Sequence, residues 1–329
     1  MNRRVLLLAT GDKIAYSPAP GRTGLASAQE LLWAIPARMI AAHVVPEDVM
    51  AEPSWDMSPS TMLGLARRAR SAILDEGFDG VVITHGTDTM EETAFLVDLL
   101  AGPAAQRGGI VLTGAMRPFD ELGSDGPRNL AASIAAAADP ALRGAGAVVC
   151  ADDQLHAARW VTLADADAVP GFSSAPASVL GRVAGGRVEM RAVPPPRPPE
   201  VVGDPETHVA LIKTYPDIEP AILTAVVDAG ARGIVLEGTG EGNVPICLFT
   251  AITELAEWDI PVVVASRCRT RGVPLEDLPL GLGLAGKVGA IGARGLAPVK
   301  ARCALMAALG GAALGGGGRQ AVRDWFGRL

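Results

Sequence analysis

Residues 79–100 read DGVVITHGTDTMEETAFLVDLL, and this stretch decides the fold. Val81–Thr84 has the character of a buried strand, His85–Thr89 forms a polar turn, and a helix then runs to about Leu100. In open α/β sheets, ligands bind where a strand ends and a helix begins, because free backbone N–H groups face the crevice there. The stretch therefore predicts a ligand site, although Thr or Asp followed by glutamate would also suit an ordinary capping box.

Strands and helices alternate in the same way around this stretch. The other elements predicted here are strands at Val5–Ala9, Gly109–Leu112 and Ala147–Cys150, helices at Ala28–Ile35, 60–76 and 128–138, and hairpins or short strands over 152–193. Such alternation predicts a parallel sheet with right-handed crossovers between its strands. Ser58 followed by Pro59 suits the N-cap and the first position of a helix.

A proline-rich segment, residues 194–208, precedes a second alternating part of the chain. The elements predicted there are strands at Val209–Lys213, Gly233–Leu236 and Pro261–Ser266, helices at 219–230, 244–257 and 298–308, and a short last helix after a glycine-rich run at 310–318. The sequence therefore predicts an α/β protein with a larger parallel-sheet domain at 1–193, a stiff linker at 194–208 and a smaller α/β domain at 209–329.

Composition and charge exclude several classes of protein. With 329 residues, 49% of them apolar, the chain can fill two ordinary cores. A net charge of −7 argues against nucleic-acid binding, and no apolar run approaches the roughly 20 residues of a membrane span. The four cysteines are widely spaced, so neither a metal site nor a disulfide framework is predicted. We therefore expect a soluble cytoplasmic protein that acts on a small molecule without metal or cofactor.

The first loop, Thr10–Pro18, contains one of the few lysines of the chain. Only four of the 29 basic residues are lysine, and Lys13 is one of them. Because lysine can lose its proton and arginine cannot, this choice indicates that the loop needs an amine. Residues 19–27 are rich in Gly, Pro and Ser and predict a mobile loop over the same end of the sheet.

The segment His85–Ala94, HGTDTMEETA, resembles the second signature of the bacterial-type L-asparaginase/glutaminase family. Further segments that resemble the family follow in order: Thr113–Pro118, Ser124–Pro127, His156–Val161, Lys213–Pro216, Gly233–Gly238, Gly242–Pro245 and Gly295–Arg302. The resemblance covers nearly the whole chain. It implies a flavodoxin-like larger domain, a smaller carboxyl-terminal domain, and sites shared between the subunits of a homodimer or homotetramer.

The resemblance also implies a reaction. Family members cleave a side-chain amide through a threonine nucleophile and an acyl-enzyme, without metal. Thr87 and Asp88 match one half of that catalytic machinery, and Asp88 also matches the acid that holds the substrate's α-ammonium group. Ser54 matches a serine that holds the substrate's α-carboxylate. Asn243 resembles an asparagine that reaches into the neighbouring subunit's site.

Several positions depart from the family pattern. The first motif is Thr10-Gly11-Asp12-Lys13-Ile14-Ala15, so Lys13 replaces the nucleophilic threonine of the family's T-G-G-T-I-A. A distant catalytic lysine is replaced by Leu163, and a small or polar residue beside the binding serine is replaced by Trp55. One amine is lost and one is gained, which suggests that the lysine function has been relocated.

Two roles for Lys13 remain open from the sequence. As a neutral amine, Lys13 would be the general base for Thr87, while backbone N–H groups around Gly86 would stabilise an oxyanion. As an ammonium ion paired with Asp12 or Asp88, it would bind an acidic group of the substrate. Thr10 is an alternative nucleophile, although its side chain is also placed to face the core.

The remaining polar residues of the motifs are expected to act structurally. His85 is predicted to fix the turn, and Arg117 and Asp125 are predicted to tie loops together. Thr89 and Glu91 suit the start of a helix. The sequence thus predicts an asparaginase-like amidohydrolase for a small amide. A hydrolase of another acyl bond (ester, lactone or cyclic imide) and a non-catalytic amino-acid sensor are the alternatives.

Overall fold

The computed structural model describes residues 3–17, 24–40, 42–201, 203–268, 274–279, 281–315 and 318–329, excepting the side chains of 276 and 312–315. Residues 19–23 of the predicted mobile loop lie outside the described residues. The chain forms two compact units, Met1–Pro196 and Arg197–Leu329. No helix in the described ranges is long and apolar enough to cross a membrane.

The first unit is built on an eight-stranded sheet. Its strands, with those of a small separate ribbon, are β1 (Arg4–Ala9), β2 (His43–Asp48), β3 (Gly80–Thr84), β4 (Gly109–Thr113), β5 (Ala147–Ala151), β6 (Gln154–Ala157), β7 (Thr162–Leu163), β8 (Phe172–Ser173), β9 (Gly181–Ala184) and β10 (Arg187–Met190). Its helices are α1 (Ala28–Trp33), α2 (Pro59–Leu74), α3 (Met90–Ala101), α4 (Ala104–Arg107) and α5 (Gly126–Ala138).

The strand order of the large sheet is β2-β1-β3-β4-β5-β6-β9-β10, and its first five strands are parallel. Strands β6, β9 and β10 continue the sheet antiparallel, while β7 pairs with β8 outside it. The order 2-1-3-4-5 is that of flavodoxin-like folds, in which a crevice opens between the carboxyl ends of β1 and β3. The structure confirms the predicted α/β fold. The polar turn His85–Thr89 follows β3 and therefore lies at this crevice.

Strand β2 (His43–Asp48) was not predicted from the sequence. It contains Pro46 and acidic residues, and most of its residues are only half-buried. It lies at the edge of the sheet, where a proline does not interrupt a hydrogen-bonded ladder on both sides. An edge strand therefore lacks the continuous apolar pattern that identified the buried strands.

Helix α5 packs very closely on the centre of the sheet. A Cβ atom added at Gly80 of β3 would lie 2.7 Å from the carbonyl carbon of Ala137, and closer still to its oxygen. A Cβ added at Gly109 of β4 would lie 2.8 Å from the same Ala137 oxygen. Glycine at the start of both strands therefore allows the end of α5 to contact the sheet backbone directly.

The second unit contains a four-stranded parallel sheet of order β11-β12-β13-β14. Its elements are β11 (Val209–Lys213), α6 (Ala221–Asp228), β12 (Gly233–Gly238), α7 (Phe249–Glu257), β13 (Val262–Ser266), β14 (Ile291–Gly292), α8 (Pro298–Gly315) and α9 (Gly318–Gly327). Helix α8 extends into the glycine-rich run that was predicted to end it. Gly310 explains part of this difference. Glycine is needed there because a Cβ would overlap the backbone of Asp204, so it does not mark the end of the helix.

Candidate active site

The loops after β1 and β3 meet at the crevice of the large sheet. Thr10 follows β1, and its Oγ1 donates a hydrogen bond to the carbonyl oxygen of Thr84 at 2.8 Å. The Thr10 side chain is completely buried. Its hydroxyl therefore holds the ends of two neighbouring strands together, and it faces the core as the sequence allowed.

Asp12 lies at the centre of the first loop in a left-handed conformation. Its φ is +68° and that of Gly11 is +89°, a sequence of angles that aspartate and glycine tolerate better than most residues. Asp12 Oδ2 accepts from the backbone N–H of Ser54 at 2.7 Å, and Oδ1 accepts from that of Lys13 at 2.5 Å. The Asp12 carboxylate thus binds backbone donors of two loops.

Lys13 does not pair with an acid among the described residues. The structure gives no ion pair between its ammonium group and Asp12 or Asp88 in those ranges. Lys13 is half-buried, and Asp88 is exposed at the start of the turn that leads into α3. The paired ammonium proposed from the sequence is therefore not the arrangement that the structure shows.

Ser54 begins a short 3-10 turn, Ser54–Asp56, just before α2. Its side chain is fully buried, and its Oγ has no hydrogen-bond partner in the part of the chain that the structure describes. Gly86 lies directly against it, since a Cβ at Gly86 would overlap both the Ser54 hydroxyl and the Asp12 carboxylate. The structure therefore brings Asp12, Ser54 and Gly86 together.

The Thr89 side chain joins the turn before α3 to the turn at Ser54 and does not cap α3. Its Oγ1 donates to the carbonyl oxygen of Ser54 at 2.7 Å, and it makes no capping hydrogen bond to α3. Its φ of −122° and ψ of 18° lie outside the extended region typical of an N-cap. Thr89 is thus the N-cap residue of α3, as expected of a helix-start residue, but its side chain does not cap the helix. Glu91 does lie in the first turn of α3, as expected, and it also accepts from the Thr162 hydroxyl at 2.9 Å.

Thr87 is buried beside a small cleft. Only 6% of its surface is exposed, and its hydroxyl makes no hydrogen bond to any described residue. The cleft has a cavity volume of only about 10 Å³ and is lined by Thr87 with Gly114, Ala115, Met116, Asp125, Asn129, Ala151, Asp152, Val169, Pro170, Gly171 and Phe172. A buried threonine that lines a cleft and makes no hydrogen bond to a described residue has a hydroxyl available to a bound molecule.

The buried side chain of His85 stabilises the turn between β3 and α3. It is completely buried, its Nδ1 lies 2.8 Å from the Gly86 carbonyl oxygen, and its Nε2 lies 3.2 Å from the Met57 sulfur. Since a carbonyl oxygen can only accept, Nδ1 carries the proton. Burial lowers the pKa of His85, so the ring stays neutral. These contacts agree with the structural role predicted from the sequence.

Asp125 and Asn129 fix the loop opposite Thr87. Asp125 accepts from the backbone N–H groups of Met116 and Arg117 at about 3.0 Å, as its predicted loop-tying role requires. Asn129 donates to the Gly114 carbonyl oxygen and to Asp125, and it also accepts from the backbone N–H of Asp152. Asn129 was missed from the sequence, where an asparagine inside an Ala-rich helix gave no sign that its amide was buried.

Trp55 and Asn243 are the two remaining predicted site residues. Trp55 follows Ser54 and is 69% exposed. Asn243 belongs to the second unit, where its side-chain oxygen accepts from the backbone N–H of Gly283 at 3.1 Å. The described residues contain no group of three or more His, Cys, Asp or Glu side chains that could hold a metal ion.

Comparison with known families assigns both units. Residues 4–196 match the family described as "Asparaginase, N-terminal", and residues 208–326 match the "Glutaminase/Asparaginase C-terminal domain". The chain belongs to the asparaginase family. It is therefore an asparaginase-family amidohydrolase, an enzyme that acts on carbon–nitrogen bonds.

Individual relatives agree with this assignment. "Probable L-asparaginase periplasmic" of Haemophilus influenzae is 32% identical over 322 residues, which cover 93% of this chain and 88% of that protein. "L-asparaginase 2" of Escherichia coli is 32% identical over 316 residues, with the same coverage of 93% and 88%. The crystal structure of a "Probable Cytoplasmic L-asparaginase from Campylobacter jejuni" is 29% identical in sequence, has a TM-score of 0.83 and covers both chains completely.

Leu163, which stands where the family pattern has a lysine, lies next to the cleft lined by Thr87. Leu163 pairs with Phe172 between β7 and β8, and Phe172 lines the cleft. The preceding residue, Thr162, is bonded to Glu91 at the start of α3. Leu163 therefore puts an apolar side chain beside a lining residue of the cleft, where the family pattern has an amine.

His156, a second buried histidine of this asparaginase-family protein, is expected to make its stability depend on pH. His156 Nδ1 lies 2.8 Å from the Ser174 hydroxyl, and burial lowers the pKa of His156 to about 4. Between pH 6.5 and 4, the unfolded chain binds this proton and the folded chain does not, so stability falls as the pH falls. The expected loss from this residue is about 3 kcal/mol, because each pKa unit corresponds to about 1.4 kcal/mol.

Denaturant unfolding at pH 7, 5 and 4 measures this effect. His156→Asn should lower the free energy of unfolding at pH 7 but flatten its decline below pH 6.5. The exposed His43 supplies the control, since His43→Asn should leave the decline unchanged. A His156→Asn protein with the wild-type slope would contradict the assignment.

Proposed function

We propose that this enzyme hydrolyses a small primary amide through an acyl-enzyme formed on Thr87. The observation that carries the proposal is the buried Thr87, which follows β3 at the β1/β3 crevice, lines a cleft and has a hydroxyl with no described protein partner. A ligand site is expected at that point of a flavodoxin-like sheet. In the proposal, Gly86 and Ser54 border the part of the site remote from the substrate amide, and Asp88 binds a substrate amine or orients Thr87.

The proposed reaction has two steps. Thr87 Oγ1 attacks the amide carbon while Lys13, as a neutral amine, takes the hydroxyl proton and then delivers it to the departing ammonia. Water then adds to the threonine ester, and the Thr87 oxygen leaves with a proton as the acid product is released. Backbone N–H groups of the turn around Gly86 are the proposed donors to the oxyanion of each step.

The assembly and location of the protein form part of the same proposal. Asn243 would reach the site of a partner subunit in a homodimer or homotetramer, as the family resemblance implies. Cytoplasmic placement is supported by the Campylobacter jejuni relative, which is called cytoplasmic, whereas the Haemophilus influenzae relative is called periplasmic. Sedimentation analysis of the purified chain tests the assembly directly.

A panel of amides and esters tests the reaction. Ammonia release from amides, with hydroxylamine trapping of an acyl group, would support the proposed amidase. Acid production from esters, lactones or cyclic imides without ammonia release would assign the same site to another acyl bond. Stabilisation of the protein by aspartate without any turnover would favour a sensor and contradict the proposal.

Lys13 variants separate a base from a fixed positive charge. Lys13→Ala is expected to lower kcat by about 10²–10⁴-fold, the usual contribution of a general base. Lys13→Arg should be equally impaired, because arginine keeps the charge but cannot accept a proton near neutral pH. Lys13→Thr should not restore asparagine hydrolysis while Leu163 remains, since the site would then lack both amines.

Steady-state kinetics against the best amide of the panel measures these changes. An active Lys13→Arg enzyme would mean that Lys13 binds substrate through its charge. A large gain of asparagine hydrolysis in Lys13→Thr would contradict the proposed relocation of the amine.

A further inference from the structure

The backbone around Ser54 and Gly86 is an anion-binding arrangement. The backbone N–H of Ser54 donates to a carboxylate, the Ser54 hydroxyl is buried without a described partner, and Gly86 contributes no side chain. Converging N–H and O–H donors of this kind suit a carboxylate. The family resemblance likewise places a substrate carboxylate at Ser54.

The chain's own carboxylate already occupies this position. Asp12 Oδ2 accepts from Ser54 N–H at 2.7 Å, and the Asp12 carboxylate fills the space over Gly86 that a Cβ would enter. The family motif has a glycine where this chain has Asp12, so the carboxylate is a feature of this chain. Its position removes both the donor and the volume that a substrate carboxylate would need.

The backbone holds Asp12 in this position. Its left-handed φ of +68° follows the φ of +89° at Gly11. Asp12 Oδ1 accepts from Lys13 N–H at 2.5 Å, and the Asp12 carbonyl oxygen accepts from Ala15 N–H at 2.9 Å. Two hydrogen bonds therefore hold the carboxylate and a third holds its backbone, which keeps the side chain over Gly86.

The acidic residues of these loops support the same conclusion. Asp12 and Asp88 are both carboxylates, whereas Lys13 is a neutral amine in the proposed reaction. A substrate carboxylate brought next to Asp12 would meet a like charge at close range, which is unfavourable, while an amine would be attracted. The site is thus suited to an amide that carries an amine and no carboxylate beside it.

We propose that Asp12 replaces the substrate carboxylate, so that the enzyme acts on amino amides without an α-carboxylate and discriminates against free amino-acid amides such as asparagine. This inference rests on the proposed amidase function. It assigns Asp12 as the residue that determines specificity at the amine end of the substrate, with Thr87 and Lys13 unchanged in their roles.

A matched pair of substrates tests the proposal. 3-Aminopropanamide is asparagine with its carboxylate replaced by hydrogen, and both release ammonia from the same amide position. The wild-type enzyme is expected to have a kcat/KM at least tenfold higher for 3-aminopropanamide than for L-asparagine. Asp12→Gly should shift this ratio at least a hundredfold towards asparagine, and Asp12→Asn, which keeps the size and removes the charge, should shift it by less.

The control variant is Asp217→Gly. Asp217 is an exposed aspartate of the second unit with a φ of +65°, so its replacement relieves the same kind of backbone strain outside the first loop. It should leave the substrate ratio unchanged. A wild-type preference for asparagine, or an unchanged ratio in Asp12→Gly, would overturn the proposal.

A binding measurement separates this inference from the proposed function. Calorimetry should find that Asp12→Gly binds L-aspartate at least tenfold more tightly than the wild-type protein. If no amide is hydrolysed by any variant, the amidase proposal fails, but the aspartate titration still tests the role of Asp12. Equal affinity for aspartate in both proteins would refute that role.

Discussion

Thr87→Ala is expected to lower the rate of amide hydrolysis at least about 10³-fold, because the variant lacks the oxygen that forms the acyl-enzyme. Thr87 is buried at the cleft, and no described residue engages its hydroxyl, so its removal breaks no hydrogen bond of the fold. The variant should therefore fold normally. Substrate binding should change little, so kcat carries the loss and KM does not.

Two variants make this result specific to the hydroxyl of Thr87. Thr87→Ser keeps a hydroxyl and should retain a measurable part of the activity. Thr93 lies on α3 with a buried Oγ1 that has no hydrogen-bond partner among the described residues, so Thr93→Val should leave activity intact. Ammonia release measures all three variants. Full turnover by Thr87→Ala would overturn the nucleophile assignment and direct attention to Thr10.

The central strands could be predicted from the sequence because each is buried on both faces and continuously apolar. Strand β3 follows this rule, with every residue of Gly80–Thr84 buried. Strand β2 escaped prediction, since an edge strand with Pro46 and acidic residues has no such pattern. Helix α8 was predicted too short, because a glycine-rich sequence normally ends a helix. Here Gly310 lies inside the helix, where it packs against the backbone of Asp204.

The candidate site shows a similar division. The family resemblance selected Ser54 and Gly86, and the structure puts them in contact. It could not reveal that Asp12 binds the backbone of Ser54, because this contact joins residues 42 positions apart and depends on a left-handed turn. Thr89 lies at the start of α3 as predicted, but the partner of its hydroxyl could not be foreseen, since it is a carbonyl group 35 positions away. Local patterns predict local partners, and these two contacts are not local.

Gly80→Ala is expected to destabilise the protein by at least about 3 kcal/mol, enough to reduce the yield of folded protein sharply. The added Cβ would lie 2.7 Å from the carbonyl carbon of Ala137 at the end of α5, and closer to its oxygen. These are backbone atoms, so the clash cannot be relieved by rotating a side chain. Relief requires α5 to move away from β3, which also separates it from β4, where Gly109 contacts the same oxygen.

A second glycine in the same unit provides the control for this substitution. Gly64 lies on the exposed face of α2, and a Cβ added there would meet nothing within 4 Å. Because alanine restricts the unfolded chain and favours helix, Gly64→Ala should stabilise the protein by about 0.5–1 kcal/mol. Denaturant unfolding of the two variants and the wild type should therefore give opposite shifts for the same chemical change. A Gly80→Ala protein as stable as the wild type would show that the contact between α5 and β3 is looser than these distances require.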